Sequence, residues 1–301
     1  MGQGVFQMFI QILISGFTVG TIYALVAVGF VLIYKGSRVL NFAQGELMLS
    51  GAYICFSLIT QFHLNYGLAF FLTLIFSALL GFITEFTILR PMVGKPLFSI
   101  FAITFGLGFL LKSSVALIWT HETYPFPGPE FLSSPSNGAI YQFISKLNIT
   151  TIIAGSILLA FFLVFFKYSK VGLAMRSTAN NQYAALLMGI KVRRIFGITW
   201  AISYIVAAIG GILIAWMTAL CPTLSFIGLK AFPIAVLGGM ESIPGAILGG
   251  LIIGVIENIA AGYLDQVLGG GIKEVTAYVI LVLVLMVKPY GFFGREEIER
   301  L

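Results

Sequence analysis

The chain has 301 residues, of which 59% are hydrophobic and only 9% are charged, and its mean hydropathy is +1.04. Soluble domains carry about 25% charged residues, so this composition excludes a water-soluble globular protein and indicates a polytopic membrane protein. The net charge of +6 does not point to nucleic acid. The basic residues stand at the ends of apolar runs, where they act as topology signals.

Eight apolar runs predict membrane-spanning helices, each of which needs roughly 20 residues. They cover residues 8–34, 39–61, 67–89, 97–119, 149–166, 196–217, 243–263 and 274–288. A further apolar piece, Leu224 to Met240, is interrupted by Lys230 and Pro233, and we expect a short broken or half-crossing helix there. The predicted fold is therefore all-α, a single transmembrane domain over residues 1–301 with about eight spans plus this short helix.

A long polar loop, residues 167–195, carries six basic residues and no acidic residue. If this loop is cytoplasmic and the spans alternate, thirteen of the 17 basic residues lie inside, as the positive-inside rule requires. They are Lys35, Arg38, Arg90, Lys95, Lys167, Lys170, Arg176, Lys191, Arg193, Arg194, Lys288, Arg295 and Arg300. In a bacterial-type inner membrane this places the N-terminus outside and the C-terminus in the cytoplasm. It also requires the segment Leu224–Met240 to cross in effect.

The main external loop in this orientation is residues 121–148, which contain four prolines. Prolines favour extended or turn structure, and we expect one short helix near Ala139–Lys146.

The middle of the polar loop predicts a short helix from Ala179 to Met188. Ser177 or Thr178 suits its N-cap, and Gly189 suits the left-handed position after its last turn. Its apolar face is formed by residues three to four apart: Tyr183, Leu186, Leu187 and Ile190. Such a helix, tied at both ends to spans, can dock in a partner's groove. The alternative is a helix that lies on the bilayer surface, held by its basic flanks.

Several motifs of chemistry are missing from the sequence. It has no G-x-x-x-x-G-K-[ST] phosphate loop, no H-E-x-x-H and no G-x-S-x-G. The two cysteines and two histidines are scattered in apolar or isolated positions, so we expect no metal site, no cofactor and no enzyme activity. The function classes that remain are transport and scaffolding.

Polar residues open the second predicted span at Asn41, Gln44 and Glu46. Asn41 and Gln44 are three residues apart and share a helix face. They act either as a polar helix start that satisfies its own backbone or as a hydrogen-bonded lock or pathway lining near the cytoplasmic side.

Three further ionisable residues fall inside spans, where such groups normally face the bundle interior or a cavity. Glu85 can pair with Arg90, and Lys112 can extend its ammonium towards the membrane surface. Glu257, with Asn258 beside it, is the candidate for the translocation pathway, with helix–helix hydrogen bonding as the open alternative.

Glycines concentrate between the broken piece and the next span. Gly238 and Gly239 interrupt the helical pattern, and Pro244, Gly245 and Gly249 follow. Small residues at this spacing favour close helix packing, and the glycine break also suits a hinge or half-helix junction.

Three stretches of the chain together resemble one known family. They are GTIYAL at 20–25 with NFAQGE at 41–46, GLAMRSTANN at 172–181 with AALLMGI at 184–190, and LGGMESIPGAILGG at 237–250. In this order they resemble the permease subunits of branched-chain amino acid ABC transporters. Gln44 stands where many relatives carry histidine, and Glu241 where glycine is common. These departures bear on the substrate subclass.

The resemblance implies half of an ATP-driven importer, paired with a second permease subunit that is similar or identical. It implies cytosolic ATPase subunits and a periplasmic solute-binding protein as further partners. The helix of the polar loop would transmit ATPase movement to the spans, and Arg193 and Arg194 would lie at the membrane surface. The contacts expected with the ATPase are Arg176, Thr178, Ala184, Ala185, Leu186, Leu187 and Gly189. Solutes of such relatives include branched-chain and other amino acids, urea, amides and aromatic acids.

Two other classes stay open. A secondary transporter or channel that needs no ATPase would use charged sites at mid-membrane. Glu257 beside Asn258 and the break at Gly238–Gly239 favour it. A membrane scaffold or assembly factor is the third possibility.

Overall fold

The computed structural model describes residues 2–92, 94–129 and 145–294. Helices make up most of this part of the chain, and the only β-bridge in it joins Tyr124 to Leu220. The short helix expected near Ala139–Lys146 falls on residues 139–144, outside the described residues. Ser145 and Lys146 begin the next span instead, with the Ser145 hydroxyl as its N-cap.

Twelve α-helices can be followed through the described ranges. They are α1 (Gly2–Ser37), α2 (Gln44–Thr60), α3 (Tyr66–Thr84), α4 (Leu97–Trp119), α5 (Lys146–Tyr168), α6 (Lys170–Asn180), α7 (Gln182–Leu187), α8 (Val192–Met217), α9 (Ser225–Leu229), α10 (Ala231–Gly238), α11 (Ile243–Leu268) and α12 (Ile272–Val287). A π-turn (Glu85–Leu89) and a 3-10 turn (Arg90–Met92) extend α3, and a 3-10 turn (Pro222–Leu224) precedes α9.

Six of these helices are long and apolar enough to span a membrane: α1, α3, α4, α5, α8 and α11. The other two predicted spans are shorter, since α2 has 17 residues and α12 has 16. At 1.5 Å per residue they are about 26 and 24 Å long, close to the lower limit for a span. The prediction of an all-α polytopic membrane protein is confirmed.

The bundle has a buried centre and a lipid-facing periphery. Helices α1, α2 and α8 are mostly buried, whereas α3, α4 and α5 expose most of their apolar residues. Phenylalanines such as Phe71, Phe105 and Phe161 point outwards. Large apolar side chains are stable on this surface because lipid tails are as apolar as the protein core.

Helices α1 and α11 run antiparallel and meet through glycines. Gly16 faces Gly254, and Gly20 faces both Gly250 and Gly254. A Cβ at Gly254 would overlap the Gly20 backbone, so the two helices approach as closely as small residues allow.

The segment Pro222–Gly238 runs from one end of the bundle to the other. It starts next to Leu220, whose backbone pairs with Tyr124 beyond the end of α4. It finishes where Leu237 accepts a hydrogen bond of 2.8 Å from the Phe292 amide, beyond the end of α12. The charge count requires such a crossing, and the chain makes it with a 3-10 turn and two short helices rather than one regular helix.

One end of the bundle collects the polar loop, the connection after α1, the start of α11 and the segment after α12. We call it the loop end. A cavity of about 790 Å³ opens there. Its lining includes Lys35, Lys167, Arg176, Glu241 and Phe293.

Candidate translocation and coupling sites

Helix α2 begins deep inside the bundle. Residues 38–43 are not helical and carry the chain inwards from Arg38, whose side chain pairs with Glu241 at the loop end. The Gln44 amide then donates to the carbonyl oxygen of Val26 at 3.4 Å, about 16 Å along α1 from its end at Ser37. The expectation that this stretch lies near the cytoplasmic start of a regular span was therefore wrong. The first five residues of the apolar run 39–61 are therefore a non-helical entry to α2.

A buried hydrogen-bond network joins three helices at this depth. We call Asn41, Gln44 and Ser203 the amide network. Asn41 Nδ2 donates to Gln44 Oε1 at 3.1 Å, and its Oδ1 accepts from the Ala43 amide at 3.2 Å. Ser203 Oγ donates to the Gly29 carbonyl at 2.7 Å and lies 3.4 Å from Gln44 Oε1. All three side chains are buried, so the network ties the start of α2 to α1 and α8.

A second buried group, Tyr23, Lys230 and Glu257, forms what we call the charge cluster. The Lys230 ammonium pairs with Glu257 Oε1 and donates to Tyr23 Oη at 3.2 Å and to the Lys273 carbonyl at 3.3 Å. Tyr23 Oη donates to Glu257 Oε1 at 3.1 Å. Glu257 is 0% exposed and Lys230 7%. The cluster connects α1, the α9–α10 junction, α11 and α12.

The amide network and the charge cluster lie next to each other in the bundle. Tyr23 and Val26 are three residues apart and so lie on one face of α1. Gly45, next to Gln44, packs so tightly on Ser225 and Gly228 of α9 that a Cβ there would overlap the Ser225 carbonyl. The start of α2, the α9–α10 junction and the middle of α11 therefore meet at one place. We call this place the central junction.

Glu46 and Lys112 lie on the other side of α9. Glu46 Oε2 is buried without a hydrogen-bond partner among the described residues. The Glu46 carboxylate interacts electrostatically with Lys112 on α4 and with Ser225. The Lys112 ammonium lies 4.4 Å from the ring centroid of Phe226. Lys112 is partly buried and is thus held between an aromatic face and a carboxylate.

Asn258, a predicted pathway residue, does not join the central junction, and neither does Glu85. Asn258 donates to the Gly254 carbonyl of its own helix at 2.8 Å, and its Cβ faces Gly16 on α1. Neighbouring residues on a helix do not share a face, so Asn258 points away from Glu257. Glu85 pairs with Arg90 at 3.0 Å, as the sequence predicted.

The glycines before α11 form a close contact between helices. A Cβ at Gly245 would overlap the Gly238 carbonyl oxygen, and one at Gly249 would approach the Ile234 carbonyl to 2.8 Å. Gly239 ends α10 with a φ of +96°, a conformation that favours glycine. Pro244 stands in the first turn of α11, where a missing N–H costs nothing. These contacts support packing as the role of the glycines, and the hinge stays a prediction.

The polar loop folds into two helices rather than one. Ser169 caps α6 by accepting from the Gly172 amide at 2.9 Å. Asn181 breaks the helix and caps α7 by accepting from the Ala184 amide at 3.0 Å. The predicted caps Ser177 and Thr178 were wrong, because both residues lie inside α6. Gly189 has a φ of +80° after α7, as predicted.

The residues expected to contact an ATPase divide into buried and exposed groups. Thr178 is 0% exposed and bonds to the Ala174 carbonyl, and Ala185 packs against Val192 and Phe196. Neither side chain is exposed in this conformation, and both contribute to packing, so their role as ATPase contacts stays a prediction. Arg176 is partly buried, and its guanidinium donates to the Lys167 carbonyl at 3.0 Å.

The exposed group is apolar. Leu187 is 89% exposed, and Tyr183, Leu186 and Met188 are also exposed around it. Ala184 and Gly189 lie open beside them. We call Tyr183, Leu186, Leu187 and Met188 the α7 knob. Arg193 and Arg194 are exposed at the start of α8.

Sequence reasoning missed three site residues: Tyr23, Ser203 and Lys230. Lys230 had a signal, since a lysine inside an apolar segment needs a partner, but its partner lies 27 residues away across a helix break. Tyr23 and Ser203 look like ordinary residues of apolar helices. In the part of the chain that the structure describes, no group of three or more His, Cys, Asp or Glu side chains is placed to hold a metal ion.

An all-α bundle with a broken crossing and ionisable groups buried at mid-depth is the architecture of a membrane transport subunit. Residues 12–288 match the family model described as "Branched-chain amino acid transport system / permease component". The chain belongs to this family of permease components.

Individual relatives match over nearly the full length. The chain is 31% identical to the high-affinity branched-chain amino acid transport system permease protein LivH of Salmonella typhimurium, with 98% of each chain covered. It is 33% identical to the corresponding permease protein BraD of Pseudomonas aeruginosa, over 97% of this chain and 98% of that protein.

A solved structure, PsaBC from Streptococcus pneumoniae in complex with Fab, is similar in fold. It aligns with a TM-score of 0.51 at 14% identity, covering 94% of this chain and 91% of that chain. At this identity the likeness concerns the fold alone.

Proposed function

We propose that the chain is the membrane-spanning permease subunit of an ATP-driven importer for branched-chain or related amino acids. Its relatives' names include branched-chain amino acid transport. A periplasmic binding protein would deliver the solute, and a second permease, identical or similar, would complete the pathway. Cytosolic ATPase subunits would supply the energy, because the chain carries no phosphate loop of its own.

The observation that carries this proposal is the α7 knob. A capped helix of six residues holds large apolar side chains outwards, between α6, which lies in the polar loop, and α8, which enters the bundle. Exposed apolar groups on a polar loop mark an interaction site, and a short helix with an apolar face suits a groove on a partner. Ala185 packs on the first turns of α8. A movement of α7 would therefore be transmitted to the bundle through this contact.

The proposed orientation places the loop end in the cytoplasm and the N-terminus outside. The basic residues around the loop-end cavity support it through the positive-inside rule. In this account residues 167–195 form the cytoplasmic coupling loop and residues 121–148 the external loop. The pathway passes the central junction near Asn41, Gln44, Glu46 and Glu257, with Gly238 and Gly239 as the hinge.

An ATPase-independent secondary transporter is the second candidate. The buried Lys230–Glu257 pair favours it, since ion-coupled transporters place charged groups at mid-membrane.

Uptake into proteoliposomes distinguishes the two candidates. The permease is reconstituted with its cognate second permease, ATPase subunits and binding protein, and radiolabelled L-leucine uptake is measured with and without ATP. The importer requires ATP, and uptake persists when ionophores dissipate all ion gradients. Uptake that requires an ion gradient and does not depend on ATP would refute the proposal.

A further inference from the structure

The charge cluster has acceptor capacity to spare. The Lys230 ammonium has three donors and meets three acceptors: Glu257 Oε1, Tyr23 Oη and the Lys273 carbonyl. Glu257 uses only Oε1. Its Oε2 is buried and has no hydrogen-bond partner within the described ranges. A fully buried carboxylate oxygen without a partner is costly, so this oxygen is suited to accept a hydrogen bond from a ligand's ammonium group.

An apolar cavity adjoins the cluster. It has a volume of about 140 Å³. Its lining is Phe30, Asn41, Phe42, Gly228, Leu229, Phe232 and Tyr278. Two of its lining residues place it beside the charge cluster: Leu229 precedes Lys230 in the chain, and Tyr278 interacts electrostatically with Glu257. The cluster side chains themselves are not part of its lining.

Aromatic rings form most of the cavity wall. The Phe232 ring lies 6.0 Å from that of Phe30 and 5.6 Å from that of Phe42. The central junction therefore places an ammonium and a half-used carboxylate beside an aromatic slot. A matching ligand has a cationic group, an anionic group and a short apolar tail.

We infer that the central junction is a transit site for zwitterionic α-amino acids with aliphatic side chains. The solute ammonium binds Glu257, the solute carboxylate binds Lys230, and the side chain enters the aromatic slot. This inference rests on the proposed transport function and adds to it a binding site within the permease itself.

Charge balance explains why the ligand must be a zwitterion. Binding exchanges one buried ion pair for two, and the net buried charge stays zero. An amine without a carboxylate would take Glu257 and leave Lys230 buried and unpaired. An acid without an amine would do the reverse. An unpaired buried charge is strongly unfavourable, so neither of these two half-ligands, the amine alone or the acid alone, should bind.

A purely structural ion pair makes a different prediction. If the pair only ties α10 to α11, two neutral residues of similar volume can replace it with little loss, as for other buried pairs. The double variant Lys230→Met/Glu257→Gln removes both charges and keeps the volume. It therefore separates a ligand site from a structural tie.

The test measures thermal unfolding of the purified permease complex in detergent, without the binding protein. Three probes are compared at millimolar concentration: L-leucine, 3-methylbutylamine, which lacks the carboxylate, and 4-methylpentanoate, which lacks the ammonium. We expect L-leucine to raise the melting temperature and both half-ligands to leave it unchanged. Equal shifts with a half-ligand, or no shift with L-leucine, would overturn the inference, and this comparison needs no variant to fold.

The double variant provides the second arm. We expect it to melt close to the wild type, to lose the L-leucine shift and to transport at least about tenfold more slowly, the loss that corresponds to 1.4 kcal/mol of binding. An unchanged shift and unchanged ATP-driven uptake would make the pair structural and overturn the site, while the proposed importer would stand. Absence of ATP-driven uptake in the wild type would instead refute the proposed function.

Discussion

The central junction and the α7 knob both depart from the usual pattern of buried apolar and exposed polar side chains, but in opposite directions. At the junction, Lys230, Glu257 and Gln44 are polar and buried among apolar helices. At the knob, Leu187 and Met188 are apolar and exposed on a polar loop. Buried charges are expensive unless paired, and exposed apolar patches mark contacts with partners. The comparison fits the proposed division of labour, in which the solute passes inside the bundle and the partner binds at its loop end.

The two regions should respond to mutation in opposite ways. At the junction, substitutions disturb stability because every group depends on others. At the knob, substitutions leave stability unchanged and disturb only the interaction with a partner.

The largest stability effect is expected from Lys230→Met. It leaves Glu257 buried without its counter-ion, and removing one partner of a buried pair costs about 3–5 kcal/mol. Thermal unfolding of the purified protein in detergent measures the loss. Adding Glu257→Gln should recover most of it. Leu187→Ser at the knob serves as the contrast and should stay within about 0.5 kcal/mol of the wild type. A single variant as stable as the double variant would show that the pair is not coupled.

The second-largest loss of stability is expected from Gly245→Val at the α10–α11 contact. The new side chain would overlap the Gly238 carbonyl, and overpacking of this kind costs about 1–3 kcal/mol. Gly67→Ala is the matched control, because a Cβ at Gly67 meets nothing within 4 Å. It should stabilise α3 slightly, since alanine is the better helix former. Equal melting temperatures for Gly245→Val and the wild type would mean that the two helices separate easily.

The smallest effect is expected from Asn181→Ala in the coupling loop. The substitution removes the cap of α7, which is typically worth about 1 kcal/mol. Faster hydrogen exchange of the amides of residues 184–188, followed by mass spectrometry, reports the local loss. Asn180→Ala alters the exposed residue before it, which caps no helix, and should leave the exchange unchanged. If both variants exchange like the wild type, the cap does not hold the knob.

The sequence alone predicted the all-α membrane fold and the position of the polar loop at residues 167–195, because long apolar runs and clustered basic residues are strong local signals. Gly189 and the Glu85–Arg90 pair were found for the same reason, since each depends on residues only a few positions apart. The need for Leu224–Met240 to cross also followed from charge counting.

The central junction could not be predicted in the same way. Its contacts join residues far apart in the chain: Tyr23 and Glu257 are 234 positions apart, and Ser203 and Gln44 are 159. The depth of Gln44 depends on an extended segment that reads as the start of a helix. The burial of Thr178 and Ala185 could not be predicted either, because spacing within a short helix does not show which side a neighbouring helix covers.

The most direct test of the division of labour is the variant Leu187→Asp in the reconstituted transporter. ATP-driven L-leucine uptake, the melting temperature and the L-leucine thermal shift are measured on the same preparation, with Asn180→Asp as a control that adds the same charge beside the knob. The account predicts uptake at least about tenfold lower for Leu187→Asp, a loss of 1.4 kcal/mol or more in coupling, with melting temperature and thermal shift unchanged. Wild-type uptake by Leu187→Asp would contradict the assignment of α7 as the contact that receives movement from the ATPase.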